Sequence, residues 1–260
     1  MDIYQHFRKE EQGFVDQALS WKEEVEWSYQ SRLTDFLDPR EQQIVEMLTG
    51  TRQDELKISL YGGDPHTERC RMIIVPWYEE ISEDSFQLTL LEASFPAKFI
   101  RLEHRDAMGA FLSLGIKRSK LGDIVVGDGV VQIIAAAEIA PYIQTNLTSI
   151  KKAKTDFREK PLSSLLKKEM KWVETDKTVS SLRLDVILKE IYPISRKEAT
   201  EAISKLQAKV NFRVVDDSKF ELQEGDLISL RGKGRSKLVS INGRTKKDKW
   251  KITAAVLADN

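Results

Sequence analysis

The chain has 260 residues, 41% hydrophobic and 32% charged, enough apolar material for one large domain or two to three small ones and too much for a disordered tail. A single cysteine, Cys70, excludes an intramolecular disulfide and a thiolate cluster for structural zinc, and predicts a reducing, cytoplasmic setting. The 41 basic and 41 acidic residues cancel but are sorted along the chain, with 7 Lys/Arg against 13 Asp/Glu in 1–60, 8 against 12 in 61–150 and 26 against 16 in 151–260, so the last part is a cation suited to a polyanionic partner.

Residues 1–55 read as an acidic helical region. Ile3, Phe7, Phe14, Ala18 and Leu19, then Ile44, Val45 and Leu48, recur at helical steps, and Asp38-Pro39 marks a helix start. Trp21, Trp27 and Tyr29 are expected to fill a small helical core. The first residues have neither the apolar stretch of a secretion signal nor the Arg-rich, acid-poor character of a transit peptide. Apolar runs such as 72–75 and 133–137 fall far short of the roughly 20 residues that cross a bilayer, so no membrane span is predicted.

Residues 56–150 read as an α+β middle domain. Strands are expected at 56–61, 71–75 and 86–92, a helix at 103–114, a hairpin over 124–133 turning on Gly127-Asp128-Gly129, and a closing helix near 138–146. Residues 151–179, with Lys151, Lys152, Lys154, Lys160 and Pro161, read as a basic linker holding a short amphipathic segment at 162–170.

The pattern is clearest in 180–260. Leu184, Ile187, Leu188 and Ile191 form one helical face, Tyr192-Pro193 stops that helix, and Ser195-Arg196-Lys197-Glu198 is a capping box that starts another with its apolar face at Ala199, Ala202, Ile203 and Leu206. Short strands are expected at 210–215, 219–222 and 227–230, and a last hairpin is expected to turn at Asn242-Gly243.

Catalytic chemistry is not signalled. The histidines His6, His66 and His104 are dispersed, and neither a metal-ligand motif nor a nucleotide-cradling glycine loop occurs, so no catalytic residue, metal or cofactor is predicted. His104-Arg105-Asp106 spells the kinase catalytic tripeptide, but Phe111 stands where the metal-binding Asn belongs. Cys70, between Arg69 and Arg71, is expected to be an ordinary residue at a strand start.

The basic residues of the last part are organised differently. Arg196 and Lys197 occupy the first turn of the second helix, where backbone N–H groups favour anions. Lys205 and Lys209 continue along it, Arg183 adds a charge from the first helix, and Asn211 and Arg213 follow. Arg231, Lys233, Arg235 and Lys237 read as a mobile basic loop, and Trp250 lies in a further basic run where it either stacks a base or anchors a strand.

The set Leu182-Arg183-Leu184-Asp185, Ser195-Arg196-Lys197-Glu198-Ala199, Lys209-Val210-Asn211 and Gly225-Asp226 resembles the S-four-type (alpha-L) RNA-binding domain, with Phe212 in place of the usual Gly. The resemblance implies two helices and a small bent sheet over about 180–232, an RNA face of Arg183, Ser195, Arg196, Lys205 and Lys209, and an Asp185 that orients Arg183 or pairs with Lys189. As a whole the chain resembles the YlmH family of bacterial RNA-binding proteins, which implies an α+β multidomain chain whose middle domain is RNA-recognition-motif-like. The family resemblance further implies a non-catalytic binder of structured rRNA or tRNA on the large ribosomal subunit in translation quality control, encoded beside cell-division genes. In the acidic middle domain only Lys117-Arg118-Ser119-Lys120 and the pair Lys98 and Arg101 are candidates to touch phosphate. Two other classes stay open: an RNA-modifying enzyme such as a pseudouridine synthase or methyltransferase, and an adaptor that meets a division protein through the acidic N-terminal region.

Overall fold

The computed structural model describes residues 3–49, 56–127, 129–167 and 171–258, in two units, Met1–Lys168 and Glu169–Asn260. The first unit opens with α1 (Gln12–Ser28), β1 (Arg32–Leu37), α2 (Pro39–Thr49), β2 (Leu56–Tyr61) and β3 (Cys70–Pro76). Helix α1 buries Val15, Ala18, Trp21 and Val25 on one stripe and ends where Tyr29 turns left-handed. Asp38 accepts from the Arg40 and Glu41 N–H groups at 2.9 Å, and Glu41 accepts from the Asp38 N–H, so α2 begins at the expected Asp-Pro.

The expectation of helix alone across 1–55 is corrected by β1. It pairs antiparallel with β3, which also pairs with β2, giving the order β1-β3-β2. Residues 56–76 therefore complete the N-terminal layer and do not open the middle domain. Trp21 fills the core as expected, but Trp27 and Tyr29 are 86% and 69% exposed and fill nothing.

The second part of this unit comprises β4 (Leu88–Ser94), α3 (His104–Ser113), β5 (Leu121–Gly127), β6 (Val130–Ala136), α4 (Ala140–Asn146), the two-residue strands β7 (Ser149–Ile150) and β8 (Ala153–Lys154), and β9 (Arg158–Lys160). The four-stranded sheet runs β5-β6-β4-β9 with every neighbouring pair antiparallel, the βαββαβ arrangement of ferredoxin-like folds. The hairpin at 124–133 forms, closing at Gly127↔Val130, while Asp128 lies outside the described residues. Leu91, Ala93, Ile133 and Ala135 face the helices and pack with Phe111, Ile143 and Phe157.

The opposite face of that sheet is covered as well. Leu90, Ile134 and Ala136 pack against Phe36 of β1 and against Leu162 and Leu165. A Cβ at Gly122 would lie 2.7 Å from the Phe36 ring, so glycine is what lets β1 approach. Gln132, fully buried, donates to Glu92 and to the Ser164 carbonyl and accepts from the Leu166 N–H, pinning 162–166 across the strands. The expected linker at 151–179 is thus corrected: it holds two short strands, a strap on the sheet, and, in the other unit, a long strand. The part of the expected amphipathic segment at 168–170 lies outside the described residues.

The second unit contains β10 (Trp172–Val179), α5 (Leu184–Ile191), α6 (Arg196–Ser204), β11 (Ala208–Val210), β12 (Arg213–Val214), β13 (Leu227–Leu230), β14 (Gly234–Arg244) and β15 (Trp250–Leu257). One antiparallel sheet runs β10-β15-β14-β13-β11-β12, so the unit begins before residue 180. Leu184, Ile187 and Leu188 of α5 and Ala199 and Ile203 of α6 are buried in its core.

Three strand expectations change. Residues 210–215 are two strands joined at Asn211-Phe212, both left-handed at φ 48° and 67°, the geometry of a type I′ reversal. Residues 219–222 form no strand, only a single bridge from Glu221 to Arg183. Asn242-Gly243 sit inside β14 at a register shift, and the chain reverses later, where the Thr245 N–H donates to the Lys249 carbonyl.

Candidate nucleic-acid interface

The N-termini of α5 and α6 meet around one buried carboxylate. Asp185 is 2% exposed; Arg183 donates to both its oxygens at 3.1 Å, and the Arg196 Nε donates to Oδ2 at 2.9 Å. Arg183 and Arg196 remain 29% and 57% exposed, so one acid fixes two guanidinium groups while leaving their outer edges to solvent. Lys189 takes no part and lies 3.4 Å from Glu190. The sequence offered Arg183 or Lys189 as the partner of Asp185; the structure joins Arg183 with Arg196.

Ser195 is committed to the start of α6. Its hydroxyl accepts from the Glu198 N–H at 3.2 Å, and its own N–H donates to Glu198 at 2.6 Å. These bonds from Ser195, with a smaller contribution from the Lys233 charge, hold the Glu198 carboxyl below its usual range. Lys233 is thus within electrostatic reach of Glu198 in the first turn of α6, a turn that also carries exposed Lys197.

Residues 231–235 form a tight turn, which corrects the expected mobile loop. The Lys233 N–H donates to the Leu230 carbonyl, Gly232 and Gly234 have φ 79° and 90°, and Leu230 faces Gly234 across the hairpin. The Arg231 N–H donates to Gln207, and the buried Tyr192 hydroxyl lies 3.4 Å from the Gly234 carbonyl. The turn is thereby held against the α5–α6 corner, and Arg231 and Lys233 are carried there on fixed backbone.

On the sheet, Lys209, Ser229 and Arg235 lie opposite one another on adjacent strands. Arg235 also covers the Phe212 ring at 5.9 Å. Asn211 is occupied: its amide donates to Asp226 at 2.8 Å, its carbonyl oxygen accepts from the Leu227 N–H, and so it clasps the Gly225-Asp226 turn. Arg213 is exposed at the start of β12. Lys205, at the far end of α6 and 3.7 Å from Glu201, stands about 13 Å along the helix from Arg196. Trp250 packs on the core with Arg244 over its ring at 4.2 Å, which occupies one stacking face.

In the first unit Arg118, Ser119 and Lys120 of the candidate run at 117–120 are engaged within the fold, while Lys117 is exposed. Arg118 donates to the Leu121 and Gly122 carbonyls, and burial pushes its pKa down to about 10. Ser119 and Lys120 both bond to Asp35 of β1, and Lys120 also meets Glu138 at 2.9 Å, tying the N-terminal layer to the sheet. Asp106 of the kinase-like tripeptide caps α3 through the Glu103 N–H and pairs with Lys151 at 2.6 Å. Burial pushes the Cys70 thiol up, away from reactivity. Among the described residues no acidic, His or Cys cluster could hold a metal ion, and no helix is long and apolar enough to cross a membrane.

Three family models match the chain: "YlmH, N-terminal" over residues 10–78, "Putative RNA-binding domain in YlmH" over 82–164 and "S4 domain" over 182–228. The chain is 41% identical over 252 residues, 97% of each chain, to the Bacillus subtilis (strain 168) protein named Ribosome-associated protein quality control protein P2. It is also similar to the solved structure of Cell division protein ylmH from Streptococcus pneumoniae, with 30% identity and a TM-score of 0.55, over 64% of this chain and 99% of that one.

Proposed function

The chain belongs to the YlmH family of RNA-binding proteins, and from that premise we propose that its S4 domain grips rRNA or tRNA on the large ribosomal subunit in translation quality control, without catalysis. The observation that carries this reading is the Asp185 clamp, which presents Arg183 and Arg196 in fixed orientation beside Lys197 and the Arg231–Lys233 turn. A-form RNA hides its base edges in a deep, narrow groove, so a fixed array of cations meets its backbone and reads its shape. Lys209, Arg213 and Arg235 extend the same positive field over the sheet, and Ser195 and Asn211 shape that face through the α6 cap and the Gly225-Asp226 turn. The name of the Bacillus relative supplies the ribosomal setting.

Sucrose-gradient sedimentation of lysate at low and high salt tests this. We expect co-migration with large subunits that fades with salt, and its loss in a Lys197→Ala, Lys233→Ala variant. If about five phosphates are contacted, affinity for purified subunits falls with salt at a log-log slope of about −3.5 to −4.5, and the double variant flattens it by between one and two. Recovery only at the top of the gradient at both salts would defeat the ribosomal reading.

A further inference from the structure

Recognition modules of the RNA-recognition-motif type use the open face of their sheet, where aromatic side chains stack bases. In the first unit that face is closed: Leu90, Gln132 and Ile134 are buried beneath Phe36 and the 162–166 strap. An RNA contact by this part of the chain must therefore lie elsewhere.

The loop between β4 and α3 offers a different surface. Phe99 is 87% exposed, flanked by exposed Lys98 and Arg101. The loop is not slack. The Phe99 and Ile100 N–H groups both donate to the Pro96 carbonyl at 3.0 and 3.1 Å, and the Phe95 N–H donates to Gly129 at 2.7 Å. Phe95, Ile100 and Leu102 pack into or against the core on either side of it. A well-anchored turn thus holds one large aromatic ring outward at a standing cost in apolar hydration, with exposed cations one residue before it and two after it in the chain. Across 96–105 the formal charge is positive, Lys98, Arg101 and Arg105 against Glu103, within a stretch of 61–150 that is otherwise acidic.

We propose that this loop is a second RNA site, which takes single-stranded RNA with one base stacked on Phe99 and the flanking phosphates on Lys98 and Arg101. A ring bordered by cations suits an unpaired nucleotide, because every base has a π face and every linkage a negative charge. The proposal rests on the reading that the chain binds RNA, but its site is separate from the S4 domain.

The test uses the full chain with two probes, a blunt RNA hairpin closed by a compact tetraloop whose bases are stacked on one another, and the same hairpin carrying a short oligouridine tail, read by fluorescence anisotropy. Phe99→Ala should weaken binding of the tailed RNA about tenfold and leave the blunt hairpin unchanged, and Phe99→Trp should restore it. Lys98→Ala with Arg101→Ala should give the same selective loss with a shallower salt slope. Equal affinity of Phe99→Ala and parent for the tailed RNA would overturn the proposal and leave Phe99 to a protein partner, as would an equal loss on both probes. If Lys197→Ala with Lys233→Ala loses the blunt hairpin while Phe99→Ala changes nothing, the second site falls and the S4 reading stands. Binding of neither probe by the parent overturns both.

Discussion

Asp185 is a buried charge whose two partners are half in water, and that asymmetry sets what its removal does. Asp185→Asn keeps the shape but leaves Arg183 and Arg196 facing a neutral amide. Breaking a buried pair costs about 3–5 kcal/mol, reduced here to about 2–3 because both arginines can rehydrate. The variant also gains one formal positive charge. If RNA binding followed net charge alone it would strengthen; we expect it to weaken, because the guanidinium groups lose their fixed orientation, and titration against purified subunits reads the sign. At this scale the sequence identified the arginines through the motif but not their geometry. Spacing alone made Lys189 as good a partner as any, and Arg196 reaches Asp185 only through the turn at 192–195. Trp27 was legible and misread: the buried stripe of α1 ends at Val25, and a residue two further on points to the other side of a helix.

The β11–β12 reversal sets a side chain against the backbone. Phe212 at φ 67° carries roughly 1–2 kcal/mol of left-handed strain, offset in part by Arg235 over its ring at about 0.5–1 kcal/mol. Phe212→Gly relieves the strain and loses the ring contact, for little net change. Phe212→Ala keeps the strain and also loses the contact. Urea midpoints should therefore rank Gly above Ala by about 1 kcal/mol, the reverse of their order inside a helix or strand. In α3 the Asp106 carboxyl is held below its ordinary range, first by the Lys151 ammonium and then, against the opposing effect of burial, by the Glu103 N–H. A carboxylate with a lowered folded pKa stabilises fully above its unfolded value near 3.9 and loses that contribution as pH falls through the folded one. The deficit of Asp106→Asn in thermal midpoint should accordingly be constant near neutrality and shrink below about pH 4. The helices and the apolar strands β2, β3, β5 and β6 were legible from their apolar pattern, whereas the long β10, mostly polar and exposed, was hidden in an apparent linker. β1 was hidden inside a helical rhythm, and β9, all charged and at a sheet edge, has no alternation to reveal it.

The whole molecule holds separate cores in Met1–Lys168 and Glu169–Asn260, while the N-terminal layer and the ferredoxin-like sheet share Phe36, the Lys120 bridges and the strap. Calorimetry should resolve two transitions, with Asp185→Asn lowering only one and Phe36→Ala, at about 3–5 kcal/mol, only the other. Composition and charge located the cationic end and the family motif gave its fold. The join between the first two layers was not legible, since it rests on Gly122 and Gln132 meeting residues distant in the chain. The sheet of the second unit also imposes an order in time. β10 has its partner in β15, pairing from Trp172↔Leu257 to Val179↔Trp250, and β15 alone joins it to the remaining strands. During synthesis β10 is made first and waits, an unmatched edge, until residue 257 has been added. Its exposed Glu174 and Asp176, with half-buried Lys177, are then a guard against pairing with a neighbouring nascent chain, and a chain that stops before residue 250 leaves β10 without its partner strand.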